Sequence, residues 1–352
     1  MIFKFNEFLK ESVSEKNFNY YAFDVDDNIL IMPTTIKMDK KVDDQWIPVD
    51  ISTSQFTEVR TDSENWRLRN GDPEIAFSDF GDEGKRGHLS FVSDLRRAIK
   101  RGSFGPAWND FIECLVNGSI FAIITARKHE PQSIRRGVEY IIDNYLNEDQ
   151  IQEMYNNLLK FEYLYGDTDL KHSRILRSNS PSRTKIFRQY LSLCDYVGVG
   201  NEKLYPGGST NPEAAKEKAL IEFSRRVSEN AGKIGYTARI GFSDDDTRNV
   251  NKIENLVKSI TKEHFPHIKE YVIKNTNDPK NIKVSKKIIE YVDPSKQSVL
   301  SATTFGNMTS HLYPSSSNNR QDDFYHQHLK RVDYLRKINK DIVNDNEKEE
   351  EE

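Results

Sequence analysis

At residues 20–30 the chain reads YYAFDVDDNIL, an apolar run that ends in a cluster of carboxylates and is followed by an apolar pair. The apolar run is typical of a short buried strand. The carboxylates would lie at its C-terminal end, where open α/β sheets place their active sites. Asp24 and Asp26 share one side of an extended segment, where like charges are unfavourable unless a cation or a shared proton compensates. The stretch alone is equally consistent with an acidic turn that ends a strand.

The composition indicates a soluble protein with a substantial core and long polar loops. Of the 352 residues, 30% are charged and 36% are hydrophobic, and 19 Phe and 16 Tyr supply bulk for a core. This length accommodates two modest domains or one domain with a large insertion. The net charge of −4 gives no general attraction to nucleic acid.

Cysteine usage and hydropathy predict a cytoplasmic protein with no membrane partner. Cys114 and Cys194 are too few and too far apart for a metal knuckle, and they fit the reduced core thiols of an intracellular protein. No apolar run reaches the roughly 18 residues that a membrane helix needs. The N-terminus has no long apolar region of the kind that directs secretion.

Two further apolar runs end in polar residues in the same way. Residues 119–124 (SIFAII) predict a second buried strand, which leads into Thr125 and Arg127. Residues 237–242 (TARIGF) predict a third, which is followed by SDDDTRN at 243–249. Because right-handed crossovers keep parallel strands pointing the same way, the three tips are expected to meet at one edge of a sheet. Helices are predicted over residues 91–100, 107–116, 131–145, 147–165, 185–193, 212–230 and 250–261, and further strands at 195–199 and 271–273.

The pattern divides the chain into four parts. They are an N-terminal amphipathic segment (1–17), a core (18–32 and 108–265), an insertion (33–107) and a C-terminal extension (266–352). Turn signals and aromatic residues indicate that the insertion is a small mixed subdomain, not a disordered loop. The N-terminal segment is interpreted as a helix that docks on the body or as a docking peptide. The extension contains a predicted helix over 324–342 and an acidic tail over 344–352.

The order and spacing of the three tips resemble those of the haloacid dehalogenase-like hydrolases. The first motif of that family, an apolar run before Asp-x-Asp, reads AFDVDDN here, with Asn28 where Thr is usual. The second, a strand ending in Ser or Thr, reads FAIITAR, and the fourth, an acidic pair followed by a further Asp or Asn, reads DDDTRN. The third is a Lys at a helix start. The resemblance covers about residues 18–32 and 108–262 and implies an α/β fold, a three-layer Rossmann-like parallel sheet with an inserted mixed cap subdomain.

The resemblance implies a phosphatase mechanism that uses two aspartates. Asp24 would be the nucleophile that takes the phosphoryl group as an aspartyl-phosphate. Asp26 would be the general acid for the leaving group and later the base for water, whereas a dehalogenase, whose halide leaves without a proton, needs no carboxylate there. Mg²⁺ would be held by the Asp24 carboxylate, the Asp26 backbone carbonyl and Asp245, with waters completing an octahedron.

The resemblance also assigns supporting roles. Thr125 would hydrogen-bond a phosphoryl oxygen, and the Lys of the third motif would bridge the nucleophile and the phosphate. We assign this Lys to Lys216 in the segment NPEAAKEKAL, with Lys218 as the alternative. Asp244 would orient the Lys, and Asn249 matches the last acidic or amide position of the fourth motif.

Substrate binding is assigned to Arg127 and Asn28. The Thr-Ala-Arg tip resembles the Ser/Thr-Gly-Arg of the 3′-phosphatase half of polynucleotide kinases, which would make Arg127 a clamp for a substrate phosphate. The plain alternative is a surface arginine after a strand. The insertion would form a cap that covers the site, excludes water and selects the substrate.

The leading functional hypothesis is a Mg²⁺-dependent phosphatase acting on a phosphorylated small molecule or a nucleic-acid end. A phosphotransferase or a mutase would share the same site. A hypothesis from another class is a structural or binding module that keeps the fold, such as a phage particle component that meets a protein partner through its terminal segments. A phage-encoded protein would be expected in the host cytoplasm or in the virion.

Overall fold

The computed structural model shows an α/β protein with two separate sheets. It describes residues 17–83, 87–165, 183–233, 236–259, 264–277 and 285–290. The predicted N-terminal helix, the helix over 324–342 and the acidic tail therefore lie outside the described residues. Among the helices in the described ranges, none has the length and apolar character that crossing a membrane requires.

Within the described ranges the main sheet has six strands, five of which run parallel. Its strands, with those of the smaller sheet, are β1 (Asn17–Phe23), β2 (Ile36–Val42), β3 (Gln45–Ile51), β4 (Trp66–Leu68), β5 (Phe121–Thr125), β6 (Asp195–Gly198), β7 (Thr237–Asp244), β8 (Ile268–Asn275) and β9 (Ser285–Glu290). The order in the main sheet is β6-β5-β1-β7-β8-β9, and β9 pairs antiparallel with β8. The predicted α/β class with a parallel sheet is therefore confirmed.

Helices cover both faces of the main sheet. In the described ranges the helices are α1 (Thr53–Val59), α2 (Pro73–Ala76), α3 (Ser90–Lys100), α4 (Trp108–Val116), α5 (Pro131–Asn144), α6 (Glu148–Tyr165), α7 (Arg183–Leu193), α8 (Pro212–Lys233) and α9 (Thr247–Ser259). Helices α1 and α2 belong to the insertion and pack with its smaller sheet. On one face Phe23 packs edge-on against Phe111 of α4. On the other face Tyr20 meets Phe223 of α8. A strand that is covered on both sides must be apolar throughout, which explains the continuous apolar run of β1.

The chain reverses its direction of winding at β1. From β1 it passes to β5 and β6 on one side, and then returns to place β7 and β8 on the other. Crossovers that leave a strand toward opposite sides open a crevice beyond the carboxyl ends of the central strands. The residues that follow β1, β5 and β7 lie at that crevice.

The insertion contains a small sheet with a hydrophobic core of its own. Strands β3, β2 and β4 pair antiparallel. A separate buried cluster joins Ile36, Met38, Ile51, Ala76 and Phe80. Helix α3, in contrast, contributes Phe91, Leu95 and Ala98 to the main core. The self-contained part of the insertion thus ends near Phe80, and the span 33–107 for the whole insertion stays a prediction.

Most predicted core elements are found within a few residues of their expected bounds, as α4, α5, β5 and β6 illustrate. The main sheet nevertheless continues with β8 and β9 beyond residue 265, the predicted end of the core. The apolar residues of 271–273 indicated a strand without indicating its sheet, because neighbouring strands are chosen by long-range packing.

Gly105 brings the end of the insertion against the loop that follows β1. Its N–H donates to the Ile29 carbonyl at 2.9 Å, and a methyl group in its place would lie 2.3 Å from the Asn28 carbonyl oxygen. We predict that Gly105→Ala lowers the free energy of unfolding by about 1–3 kcal/mol, because backbone must move to admit the methyl group. Urea denaturation measures this change. Ser103→Ala, which keeps the nearby backbone hydrogen bond from Ile31 to the Ser103 carbonyl, is the control and should change stability little.

Candidate active site

Three strand ends meet at the crevice beyond β1. Asp24 directly follows β1, Thr125 ends β5 and Asp244 ends β7. All three side chains are buried. The Asp24 N–H donates to the Ser243 carbonyl at 3.0 Å, which extends the pairing of β1 with β7 to the point where the acidic residues begin. The convergence expected from the sequence is therefore present.

Asp24, Asp244 and Asp245 form a compact acidic triad. One carboxylate oxygen from each lies within 4.8 Å of the corresponding oxygens of the other two. Asp24 and Asp244 are buried and Asp245 is half-buried. Carboxylate oxygens at this spacing are the ligands that Mg²⁺ and similar hard cations take in proteins. The triad is thus a candidate metal site.

Lys216 of α8 is the cation that faces the triad. Its Nζ lies 3.1 Å from Asp24 Oδ1 and 2.8 Å from Asp244 Oδ2, and the residue is only 3% exposed. Lys218 points elsewhere, with its Nζ 5.7 Å from the centre of the Tyr205 ring. Of the two lysines that the sequence offered, Lys216 is the one that the structure brings to Asp24.

Hydrogen bonds from α9 and from its leading turn hold Asp244 in place. Asn249 Nδ2 lies 3.2 and 3.1 Å from the two carboxylate oxygens of Asp244, and the Asp246 N–H donates to Oδ1 at 2.9 Å. Asp244 is therefore engaged by Lys216, Asn249 and the backbone. Asp24 and Asp245 are the members of the triad with oxygens left to bind an ion.

The charges in this cluster do not balance. Burial raises the pKa of Asp24 well above its ordinary value; the charge of Lys216 lowers it in part, and Asp244 and Asp245 raise it further. Burial, followed by the charge of Asp244, raises the pKa of Asp245 from 3.8 to about 8. Burial lowers the pKa of Lys216, but the charges of Asp24 and Asp244 outweigh this effect and raise it. One ammonium faces three carboxylates, so the site has room for added positive charge.

Asp26 lies outside the triad and is held by Arg127. Both of its carboxylate oxygens accept hydrogen bonds from Arg127, from Nε at 2.8 Å and from Nη2 at 2.6 Å. Arg127 is completely buried. The alternative of a surface arginine disagrees with this position, because the guanidinium is enclosed. The substrate clamp stays a prediction for a guanidinium that already holds a carboxylate. Thr125 lies beside this pair, and its Oγ1 accepts from the Arg127 N–H at 3.4 Å.

Asn28 fastens the loop after β1 to β7. It is completely buried, and its Nδ2 donates to the Asp24 carbonyl at 3.0 Å and to the Ser243 carbonyl at 3.1 Å. Its Oδ1 accepts from Thr276 Oγ1 at 2.8 Å. These bonds engage both polar groups of the amide and shape the loop, and the substrate contact of Asn28 stays a prediction.

The insertion contacts the rim of the site at two points. Thr53 Oγ1 donates to Asp27 Oδ2 at 2.6 Å, and Arg60 Nη2 donates to Asp246 Oδ2 at 2.6 Å. Both acceptors directly follow residues of the predicted site. Sequence reasoning did not find Thr53 or Arg60, since each lies in a polar segment without a motif and meets its partner only through tertiary contact.

No family model matches the sequence, and no curated protein or solved structure matches it either.

Removal of Lys216 should destabilise the protein strongly. We predict that Lys216→Met costs about 3–5 kcal/mol in the free energy of unfolding, because it leaves Asp24 and Asp244 buried without their cation. Lys218→Met is the matched control on the same helix and should cost less than about 1 kcal/mol, since it removes a half-exposed lysine. Chemical denaturation of both variants decides the point, and equal losses would contradict the assignment.

The raised pKa of Asp245 predicts a pH dependence of stability. Folded Asp245 keeps its proton up to a pH of about 8, whereas unfolded Asp245 loses it near pH 3.8, so the folded state binds more protons between these values. Without added metal, stability should therefore fall as the pH rises from 4 to 8, by at most about 1.4 kcal/mol per pH unit for one proton. Asp245→Asn should flatten this slope. Denaturation at several pH values compares the two proteins, and parallel curves would refute the shift.

Proposed function

We propose that the protein is a Mg²⁺-dependent phosphomonoester hydrolase of the haloacid dehalogenase-like type, with Asp24 as the nucleophile. The supporting observation is the acidic triad with Lys216 beside it. The triad lies at the crevice beyond β1, where the chain reverses its direction of winding. A phosphoryl group carries negative charge that a divalent metal ion and the Lys216 ammonium would both stabilise. Burying the carboxylates of Asp24 and Asp244 and half-burying that of Asp245 is costly, so a purely structural sheet edge would gain little from them.

The donor set fits a magnesium ion. Asp24 and Asp245 have carboxylate oxygens to offer, and the Asp26 backbone carbonyl is assigned as a further ligand by the first motif. A bound ion would polarise a phosphoryl oxygen and offset the repulsion between the carboxylates and the phosphate. The raised pKa values of Asp24 and Asp245 agree with a site that binds added positive charge.

The proposed reaction has two displacements at phosphorus. A carboxylate oxygen of Asp24 forms a bond to phosphorus as the bond to the substrate oxygen breaks, and Asp26 gives its proton to the departing alcohol. Asp26 then takes a proton from a water whose oxygen attacks the aspartyl-phosphate. This second step breaks the bond to Asp24 and releases inorganic phosphate. The carboxylate of Asp24 is restored, and the proton on Asp26 is ready for the next substrate.

Other residues would stabilise charge and exclude water. Lys216 reaches the oxygen of Asp24 and would donate to phosphoryl oxygens as their charge grows. Thr125 would hydrogen-bond another phosphoryl oxygen. The insertion would act as a cap, since Thr53 and Arg60 bring it to the rim of the site.

The direct test is hydrolysis of p-nitrophenyl phosphate with Mg²⁺, followed by a panel of nucleotides, sugar phosphates and phosphorylated DNA ends. We predict Mg²⁺-dependent release of phosphate that EDTA abolishes. Asp24→Asn should lower the rate by a factor on the order of 10³ or more, because an amide cannot accept the phosphoryl group.

Asp195→Asn is the control for the loss of an ion-paired aspartate. Asp195 begins β6, at the end of the sheet opposite the crevice, and pairs with Arg226. This variant should retain hydrolysis. A wild-type protein that binds Mg²⁺ but releases no phosphate from any substrate would favour the binding-module hypothesis, and transfer of the phosphoryl group to a second alcohol would favour a phosphotransferase or a mutase.

A further inference from the structure

Arg127 binds the Asp26 carboxylate in a bidentate contact. Its Nε and Nη2 donate to the two carboxylate oxygens of Asp26 at 2.8 and 2.6 Å. Arg127 is 0% exposed and the Asp26 side chain is 14% exposed. A planar guanidinium that holds both oxygens of a carboxylate fixes the plane of that carboxylate as well as its position.

The same guanidinium meets both ends of the self-contained part of the insertion. Thr34, which precedes β2, accepts from Arg127 Nη2 at 2.9 Å and donates to Asp94 Oδ2 at 2.5 Å. Phe80, which ends the insertion's own hydrophobic cluster, places its ring 4.8 Å from the Arg127 Cζ. The Lys128 N–H also donates to the Phe80 carbonyl at 2.7 Å. The segments that enter and leave the self-contained part of the insertion therefore converge on the Arg127 side chain.

These contacts oppose a direct role of Arg127 in holding the substrate. Two of its three nitrogens are engaged by Asp26 and Thr34, and the third, Nη1, is buried with no hydrogen-bond partner among the described residues. The Nε and Nη2 groups could reach a substrate phosphate only by leaving Asp26 and Thr34, and the loss of one partner of a buried ion pair is costly.

We propose that Arg127 is a positioning residue, which fixes the Asp26 carboxylate and ties its orientation to the seating of the insertion. The proposal deepens the proposed function and rests on it, in that Asp26 gives its proton to the leaving group. When the insertion is seated, Thr34 and Phe80 hold the guanidinium, and the guanidinium holds Asp26. When the insertion lifts, Asp26 loses its fixed direction, so proton transfer is confined to the covered site.

The kinetic test compares substrates whose leaving groups differ in their need for a proton. p-Nitrophenolate leaves without protonation, whereas the alkoxide of glycerol phosphate requires a general acid. Arg127→Lys keeps the charge and loses the planar fork. It should lower kcat on glycerol phosphate by about 10²-fold and kcat on p-nitrophenyl phosphate by less than about 10-fold, with KM little changed.

Arg135→Lys is the matched control. Arg135 is also a buried arginine, on α5, and it donates to Glu139 Oε1 at 2.9 Å and to the Arg188 carbonyl at 3.2 Å. Its variant should leave the ratio of the two rates unchanged. Equal losses on both substrates in Arg127→Lys, or a rise in KM alone as a substrate clamp would give, overturn the proposal.

A second readout distinguishes failure of the proposal for Arg127 from failure of the proposed hydrolase function. If the wild type releases phosphate and Asp24→Asn does not, the proposed function is supported whatever the result for Arg127→Lys. Hydrogen exchange needs no activity: Arg127→Lys should speed exchange of the Lys128 amide and of the amides of β2, and Arg135→Lys should not. Unchanged exchange in Arg127→Lys overturns the link to the insertion even in a protein that proves inactive.

Discussion

The contact of Lys216 with the carboxylates of Asp24 and Asp244 is the interaction on which the site depends. Burial removes the water that would otherwise screen these charges, so each must be matched by another charge at close range. One ammonium cannot match three carboxylates. The raised pKa values of Asp24 and Asp245 express this shortage of positive charge, which a proton or a divalent cation can supply. The proposed chemistry therefore follows from an electrostatic imbalance that the fold holds in place.

The fold can hold this imbalance because β1 lies at the centre of the sheet. Both neighbours of β1 are strands that also end in polar residues, and its backbone pairing with β7 brings the three acidic residues together. Asn28 adds hydrogen bonds from the loop to β7, and Gly105 lets the chain approach the same loop closely. A site built on paired strands keeps its geometry without a ligand.

The insertion contacts the site both at its exposed rim and in the protein interior. Thr53 and Arg60 meet acidic residues at the rim, and Arg127 connects the insertion's ends to Asp26 in the interior. A segment with its own hydrophobic cluster could have been an independent appendage. These polar contacts instead tie its position to the acidic residues in and around the site.

The sequence by itself determined the class of the fold and the polar ends of its central strands, because continuous apolar runs and the acidic residues after them are local signals. It left Lys216 and Lys218 undecided, since both have apolar neighbours such as Ala215 and Leu220 within a helical turn, and only packing shows which side of α8 faces Asp24. It also left the partner of Arg127 open, because Asp26 lies 101 residues away. Tertiary structure decided these points, since a buried charge takes its role from whichever group the fold brings within hydrogen-bonding distance.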